Sequence, residues 1–275
     1  MAVSGDASAA AAYYDDADTA DFYRLLWGGS DIHVGLYATG AETVPEASVA
    51  MTRHLLDAAG IGTDGGIGAG ARVLDIACGY GGTLRELARR GCRPAGIDIS
   101  AVCVARARAE LAAAGLDLPV TQGDFHAIES EDAAWDAVVC QESVIHSGDR
   151  ARVFAEALRV LRPGGTLAVS DILTGTGADL SLVAAAFERL GARPGDTLSD
   201  YRAMARAAGF ALAHAEERPD DIRTHYDKLA EALAGPVPGL APRAVERIAA
   251  SIGHWRAALA GGHVTWGCLV ARKPG

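Results

Sequence analysis

The sequence predicts an α/β protein with a doubly wound, mostly parallel sheet and an N-terminal helical lid. Two observations support this fold class. From residue 71 onward, short apolar runs alternate with helical patterns, as in parallel βαβ units. A glycine-rich loop over residues 75–82 separates the first apolar run from the first helical pattern. Because 50% of the 275 residues are hydrophobic, the chain can bury a core large enough for such a fold.

The chain before residue 71 divides into two parts. Residues 1–12 are mostly small and predict a flexible tail. Residues 13–59 predict helices with several aromatic side chains, and the glycine-rich residues 60–70 predict a flexible linker. We therefore expect a tail over 1–12, a helical lid with its linker over 13–70, and a main domain over 71–275.

The main domain is predicted to contain seven strands, at residues 72–77, 94–99, 118–122, 135–141, 166–172, 210–216 and 264–272. Helices are predicted at 83–90, 102–114, 150–161 and 200–208, the last of them capped by Ser199. Two further helical patterns, near 221–234 and 241–259, are separated by the sequence GPVPG. They predict a helical insertion at about 221–262, before the last strand.

The composition of the chain argues against several classes of binding partner. The formal net charge of −10 disfavours nucleic acid, and Lys and Arg form no dense run that would bind DNA or a membrane. The five cysteines are widely spaced without a CxxC pair, which argues against a disulfide framework and against a zinc site. No apolar run reaches the roughly 18 residues of a membrane span, and the N-terminus lacks the basic start of a secretory signal. We expect a cytoplasmic protein without a bound metal that acts on a small molecule, and a homodimer is compatible with the sequence.

The glycine-rich loop has the features of a Rossmann-like nucleotide site. Gly79 and Gly81 allow the backbone to approach a ligand closely, and the N–H groups of the following helix point toward it. Asp98 ends the next predicted strand, 19 residues after Gly79, where a carboxylate can bind both ribose hydroxyls. Asp75, just before the loop, can hold the loop itself or a ligand ammonium group. The loop and Asp98 alone would also fit an NAD-dependent oxidoreductase.

Further candidates follow the third and fourth strands. Asp124 and Phe125 come after the third strand, where an acid and an aromatic ring can bind adenine, although Phe125 is equally compatible with a core position. The fourth strand ends in QESVIH, residues 141–146, at the edge where ligands of parallel sheets bind. A helix, the sequence RPGG and a fifth strand then follow in order.

Four segments within residues 71–172, VLDIACGYGG, GIDIS, QGDF and VLRPGG, resemble the class I S-adenosylmethionine-dependent methyltransferases. Segments at 13–15, 22–37, 141–147, 201–210 and 218–229 are similar to those of sarcosine/dimethylglycine N-methyltransferases, which make glycine betaine. The resemblance implies the seven-stranded methyltransferase fold, S-adenosylmethionine as cofactor with S-adenosylhomocysteine as product, and a small amine or amino-acid-type acceptor. Residues 235–262 have no recognised counterpart in that family. The segment WGGSDIHVGLY is shared with other small-molecule methyltransferases, so an O- or C-methyltransferase of specialised metabolism is the alternative. A non-catalytic protein that senses the cofactor is a further one.

The resemblance also implies roles for individual residues. It places the following at the cofactor: Tyr14, Trp27, Arg53, Ala77, Gly79, Asp98, Asp124, Phe125 and Gln141. The loop and strand pattern adds Asp75, Gly81 and Ile99. His146 is the first candidate for the catalytic residue and His33 the second, because a histidine can accept a proton from an amine or orient it. Both histidines could instead be structural, donating to backbone carbonyls.

Aromatic and basic side chains are candidates for the acceptor site. Tyr13 and Tyr37, together with Tyr14 and Trp27, can bind a sulfonium or methylated ammonium group against their faces. The same aromatic residues could simply dock the N-terminal segment onto the core. Arg53, Arg202 and Arg223 are candidates for binding the carboxylate of an amino-acid-type acceptor.

Overall fold

A computed structural model describes residues 5–27, 29–63 and 66–275. Its seven strands form one sheet in the order β3-β2-β1-β4-β5-β7-β6. Their bounds are Arg72–Asp75, Arg93–Asp98, Val120–Gln122, Trp135–Gln141, Leu161–Thr174, Ala211–Glu217 and Val264–Arg272, for β1 to β7 in chain order. β1 to β5 pair in parallel, whereas β7 is antiparallel to both β5 and β6. The predicted seven-stranded, mostly parallel sheet is confirmed.

Ten α-helices lie in the described part of the chain. Their bounds are Gly5–Asp15, Ala17–Phe22, Val44–Ala58, Gly82–Arg89, Ala101–Ala113, Arg150–Val160, Leu180–Phe187, Leu198–Ala208, Pro219–Ala232 and Pro242–Ala260, for α1 to α10. A π-helical turn, Tyr23–Trp27, follows α2, and short 3₁₀ turns cover Val144–His146 and Glu188–Leu190. None of these helices is long and apolar enough to cross a membrane.

Two local predictions differ from the structure, and a third is tested only in part. The predicted tail is helical from Gly5 onward, since its alanines favour α1, while residues 1–4 lie outside the described residues. The helix α8 begins earlier than predicted, because Thr197 rather than Ser199 is its N-cap: the Thr197 side chain accepts from the Asp200 N–H in a capping box. The structure describes the predicted linker, residues 60–70, only in part, because residues 64 and 65 lie outside the described residues.

The topology determines where ligands can bind. The central strands β1, β2 and β4 run in parallel, so their carboxyl ends meet at one edge of the sheet. At that edge the strand order reverses on either side of β1, which is the switch point where α/β proteins bind ligands. The N-terminal helix α1 packs against α5 and covers this edge. The predicted helical lid is therefore present.

The helices α9 and α10, from the segment predicted as an insertion, both pack against β7. α10 packs against both α7 and α9, and its Trp255 is fully buried between the rings of Phe187 and Tyr226, at centroid distances of 5.1 and 5.0 Å. His254, one residue earlier, is exposed. The segment 235–262 thus acts on the site through Trp255, which supports Tyr226 from behind.

Candidate active site

The glycine-rich loop is held in place by two buried carboxylates. Gly79 has a φ of +50° and Gly81 a φ of +87°, a region that favours glycine, so the turn into α4 requires these residue types. The Gly79 N–H donates to Asp98 Oδ2 at 2.9 Å, and the Ser100 N–H donates to Asp98 Oδ1 at 2.9 Å. Asp75 Oδ1 accepts the Ala77 N–H at 3.1 Å. Asp75 therefore shapes the loop from inside the protein.

Beside this loop lies a cavity that we call the cofactor cavity. Its lining combines Asp98 with apolar and aromatic side chains and with α1; the full set is Ala10, Tyr14, Ile76, Ala77, Asp98, Ile99, Gly123, Asp124, Phe125, His126, Ser143 and His146. The sequence predicted six of the residues in this set as cofactor ligands: Tyr14, Ala77, Asp98, Ile99, Asp124 and Phe125. His126 was not predicted from the sequence. Its ring is hydrogen-bonded to Asp124 Oδ1 at 2.7 Å and to Ser147 Oγ at 2.7 Å.

The donor set fits an adenosine-bearing cofactor. Asp98 offers a carboxylate for ribose hydroxyls, and Ile99 and Phe125 offer apolar contact for a base. Deeper in the site, Gln141 donates to Thr83 Oγ1 at 2.8 Å and to Thr52 Oγ1 at 3.3 Å. Its buried Oε1 has no hydrogen-bond partner among the described residues, so it is available to a ligand donor such as an ammonium group. Burial raises the pKa of Asp98 to about 6 in the ligand-free chain.

A second cavity, which we call the acceptor cavity, adjoins the first. The two share Tyr14 and His146. The acceptor cavity is lined mainly by aromatic and aliphatic side chains, namely Tyr14, Tyr23, Trp27, Ile32, Glu142, Ile145, His146, Ile172, Leu190 and Tyr226. Trp27, predicted at the cofactor, lies here, and its Nε1–H donates to the His33 carbonyl at 2.9 Å. Tyr13 supports the wall, with its ring 4.9 Å from that of Tyr14 and its hydroxyl 3.1 Å from that of Tyr23.

His146 lies at the junction of the two cavities, as a residue next to both cofactor and acceptor must. Its Nε2 is 3.3 Å from the Tyr14 hydroxyl. Burial, together with the positive charge of Arg150, lowers the pKa of His146 to about 4. The ring is therefore neutral at physiological pH, able to orient an amine but weak as a base.

Glu142, which the sequence analysis did not single out, supplies a buried carboxyl to the acceptor cavity. It has a φ of +48°, a strained conformation for a residue with a side chain. Its Oε1 accepts the Val34 N–H at 2.7 Å and the Trp266 Nε1–H at 2.9 Å. Burial raises the pKa of Glu142 to about 7, against the lowering effect of His33 and of the Val34 N–H. The sequence did contain a feature that indicates Glu142, an acidic residue directly after an apolar strand. The same feature identified Asp98.

His33 belongs to an internal network rather than to the lining of either cavity. Its Nε2 is 2.9 Å from Thr52 Oγ1 and 3.5 Å from Asp31 Oδ1. Burial alone would lower its pKa, but the hydrogen bond and charge of Asp31 raise the pKa overall. Through Thr52 the network reaches Gln141, so His33 positions the buried end of the site.

Besides the predicted residues already described beside the cavities, four more lie outside both linings: Tyr37, Arg53, Arg202 and Arg223. Arg53 is half-exposed and pairs with Glu86, its Nε 3.2 Å from Oε2. Tyr37 donates its hydroxyl to His225 Nδ1 at 2.9 Å. Arg202 is exposed on α8, and Arg223 is exposed and paired with Asp220 at 2.6 Å.

Comparison with known proteins agrees with this geometry. Residues 73–165 match a family model described as a methyltransferase domain. A dimethylglycine N-methyltransferase of Parasynechococcus marenigrum is 36% identical, over 98% of this chain and 96% of that protein. A sarcosine/dimethylglycine N-methyltransferase of Halorhodospira halochloris is 30% identical, over 95% of this chain and 94% of that protein. A crystal structure assigned to a sarcosine dimethylglycine methyltransferase of Galdieria sulphuraria superposes with a TM-score of 0.85 at 32% identity, covering 95% of this chain and 99% of that chain.

The sheet, the cofactor cavity and these relatives define a class I enzyme that uses S-adenosylmethionine to methylate a small molecule. More narrowly, the chain belongs to the sarcosine/dimethylglycine N-methyltransferase family. The sequence-based prediction of the fold, of the cofactor and of N-methyl transfer is thereby confirmed.

Proposed function

We propose that the enzyme methylates the nitrogen of a glycine-type amine, with sarcosine and dimethylglycine as the acceptors to test first. The observation that carries this proposal is the composition of the acceptor cavity. Aromatic rings of Tyr14, Tyr23, Trp27 and Tyr226 line it together with the carboxyl of Glu142. Aromatic faces and a buried carboxylate both attract an ammonium group, by about 0.5–2 kcal/mol for each aromatic contact. The Tyr14 hydroxyl lies 3.3 Å from His146 Nε2 and the Tyr23 hydroxyl 3.1 Å from that of Tyr13, so either must exchange its partner to donate to the carboxylate of such an acceptor.

Bound S-adenosylmethionine supplies a sulfonium methyl group for an in-line displacement by the amine. The amine must first lose its proton, because an ammonium nitrogen has no lone pair. Glu142 is the better base of the two candidate groups, since its pKa of about 7 lies near the operating pH. Glu142 is therefore the group that accepts the proton from the ammonium form of the acceptor. His146, neutral because its pKa is about 4, orients the amine beside the cofactor cavity.

The test is an acceptor panel with product detection by mass spectrometry. Sarcosine and dimethylglycine should be methylated on nitrogen, whereas dimethylethanolamine, which lacks the carboxylate, should be a poor acceptor. His146→Ala should lower kcat far more than it weakens S-adenosylhomocysteine binding. Equal losses in both would assign His146 to the cofactor site. A panel in which only hydroxyl or carbon acceptors react would refute the proposal.

One feature of the acceptor cavity is not explained by a small zwitterion and would suit an additional O- or C-acceptor. Ile145, Ile172 and Leu190 give the acceptor cavity an aliphatic wall that a small zwitterion does not need. An apolar hydroxylated acceptor would use that wall. The same panel decides between the two reactions when it includes apolar phenols and enols.

We infer a cytoplasmic enzyme, since all five cysteines are buried and unpaired, as is usual in a reducing compartment.

A further inference from the structure

A second cluster of reactive side chains lies away from both cavities, at the end of the sheet formed by β6 and β7. His214, Glu216 and Cys268 each direct one potential ligand atom to the same point, and these atoms all lie within 4.8 Å of one another. His54 of α3 reaches the cluster as well, with its Nε2 in a short hydrogen bond to Glu216 Oε1. None of these four residues lines the cofactor or acceptor cavity.

The antiparallel pairing of β6 and β7 explains why these side chains meet. Glu216 and Cys268 are directly opposite each other in the ladder, so their side chains project from the same face. His214 is two residues before Glu216 on the same strand and therefore shares that face. α3 places His54 over this face. The cluster is thus fixed by a regular sheet and a helix, which are rigid supports.

The distances are close to those of a tetrahedral metal site. His214 Nε2 lies 3.4 Å from Glu216 Oε1, and Cys268 Sγ lies 3.6 Å from the same oxygen. Ligand bonds of about 2.0–2.3 Å at tetrahedral angles separate the donor atoms by roughly 3.3–3.7 Å. An imidazole, a thiolate and a carboxylate are ligands that suit Zn²⁺ and its borderline-soft neighbours, and a water molecule can complete four-coordination.

The residues around the cluster leave it accessible to an ion from solvent, and they determine which atoms can bind that ion. The His214 side chain is 42% exposed and that of His54 29% exposed, so an ion can reach the cluster from solvent. The other oxygen of Glu216 faces the Arg218 guanidinium at 3.5 Å, so Oε1, which also contacts His54, is the oxygen that faces His214 and Cys268. Cys268 can bind a metal ion only as the thiolate, so the ion must displace the thiol proton.

We propose that His214, Glu216 and Cys268 form a binding site for one divalent transition-metal ion of the zinc class at the β6–β7 edge, with His54 of α3 holding Glu216 through its hydrogen bond. Such a site has no spacing motif, because its ligands come from positions 214, 216 and 268. For that reason the absence of a CxxC pair led the sequence analysis to expect no metal. The site is independent of the methyl-transfer proposal, since it shares no residue with either cavity.

Cobalt and zinc titrations of the purified, reduced full-length chain test the site. Co²⁺ should bind one per chain and give the visible bands of tetrahedral cobalt together with a thiolate charge-transfer band. Zn²⁺ should raise Tm and displace cobalt. Calorimetry in buffers of different ionisation enthalpy should show release of about one proton per metal ion.

Variants identify the ligands. His214→Gln should weaken Zn²⁺ binding by more than about tenfold and remove the metal-dependent rise in Tm. The matched control is His254→Gln, an exposed histidine on α10 that should leave both unchanged. Cys268→Ser should abolish the charge-transfer band. Retention of that band in Cys268→Ser, equal zinc affinity in the two histidine variants, or no uptake of cobalt by the wild-type chain would each overturn the proposal.

Discussion

Replacing Asp98 by asparagine probes the cofactor cavity directly. Each oxygen of the carboxylate already accepts one backbone N–H, from Gly79 and from Ser100. An asparagine must therefore point its NH₂ group at one of these donors, and it carries no charge for the ribose hydroxyls. Hydrogen bonds to a charged group contribute about 1.5–3 kcal/mol each. We expect a net loss of about 2–4 kcal/mol, which raises the Kd for S-adenosylhomocysteine roughly 30- to 900-fold.

The pH dependence of binding gives an independent check. Because the free carboxyl has a pKa of about 6 and the cofactor needs it ionised, wild-type affinity should be constant above about pH 7 and fall about tenfold by pH 5. Asp98→Asn should lose this contribution. Isothermal titration calorimetry with S-adenosylhomocysteine at pH 8 and pH 5 measures both effects. Asp171→Asn is the control. Asp171 is a buried aspartate that accepts hydrogen bonds from the Ile145 N–H and the Tyr201 hydroxyl. Two results would refute the reasoning. One is a Kd of Asp98→Asn within about threefold of wild type at pH 8. The other is the same pH dependence of Kd in Asp98→Asn and in wild type.

Three more predictions follow from the site and its surroundings. Glu142→Gln should lower kcat/KM for the amine by about 100-fold while cofactor Kd stays unchanged, and a comparable loss of cofactor binding would count against Glu142 as the base. Burial lowers the pKa of His225 to about 3, so the stability present above its unfolded pKa of about 6.5 is lost as the pH falls toward 3, by about 1.4 kcal/mol per unit. Urea unfolding between pH 6.5 and 4.5 should therefore show a shallower loss in His225→Gln, and parallel slopes would contradict this. Arg202→Ala and Arg223→Ala should leave the KM for the acceptor within about twofold of wild type, as expected for surface substitutions, and a large rise would return them to the acceptor site.

The cofactor cavity was predictable because its signals are local in sequence. A strand that ends in an acid, followed by a glycine turn and a helix, requires only neighbouring residues, so Asp98 and the loop could be identified from the sequence. Glu142 shows the limit of this reasoning. Its place after β4 was visible, but its unusual backbone and its bonds to the Val34 N–H and the Trp266 side chain come from segments far apart in sequence.

The basic residues were harder to place for the same reason. An arginine can be exposed or buried at any point of a helical pattern, and only packing decides which. Arg223 points away from the site and pairs with Asp220 on its own helix, whereas Arg150, not predicted as a site residue, lies close enough to lower the pKa of His146. Trp27, predicted at the cofactor, lines the acceptor cavity, because one aromatic segment contributes to that side.

The position of Tyr14 on α1 gives one helix a part in both cavities. Tyr14 lines the cofactor cavity and the acceptor cavity, and its hydroxyl lies 3.3 Å from His146 Nε2. The same helix is tied to α5 through the hydrogen bond from Ser100 Oγ to Asp15. A displacement of α1 away from α5 would therefore alter both cavities together, so the two ligands share one movable wall.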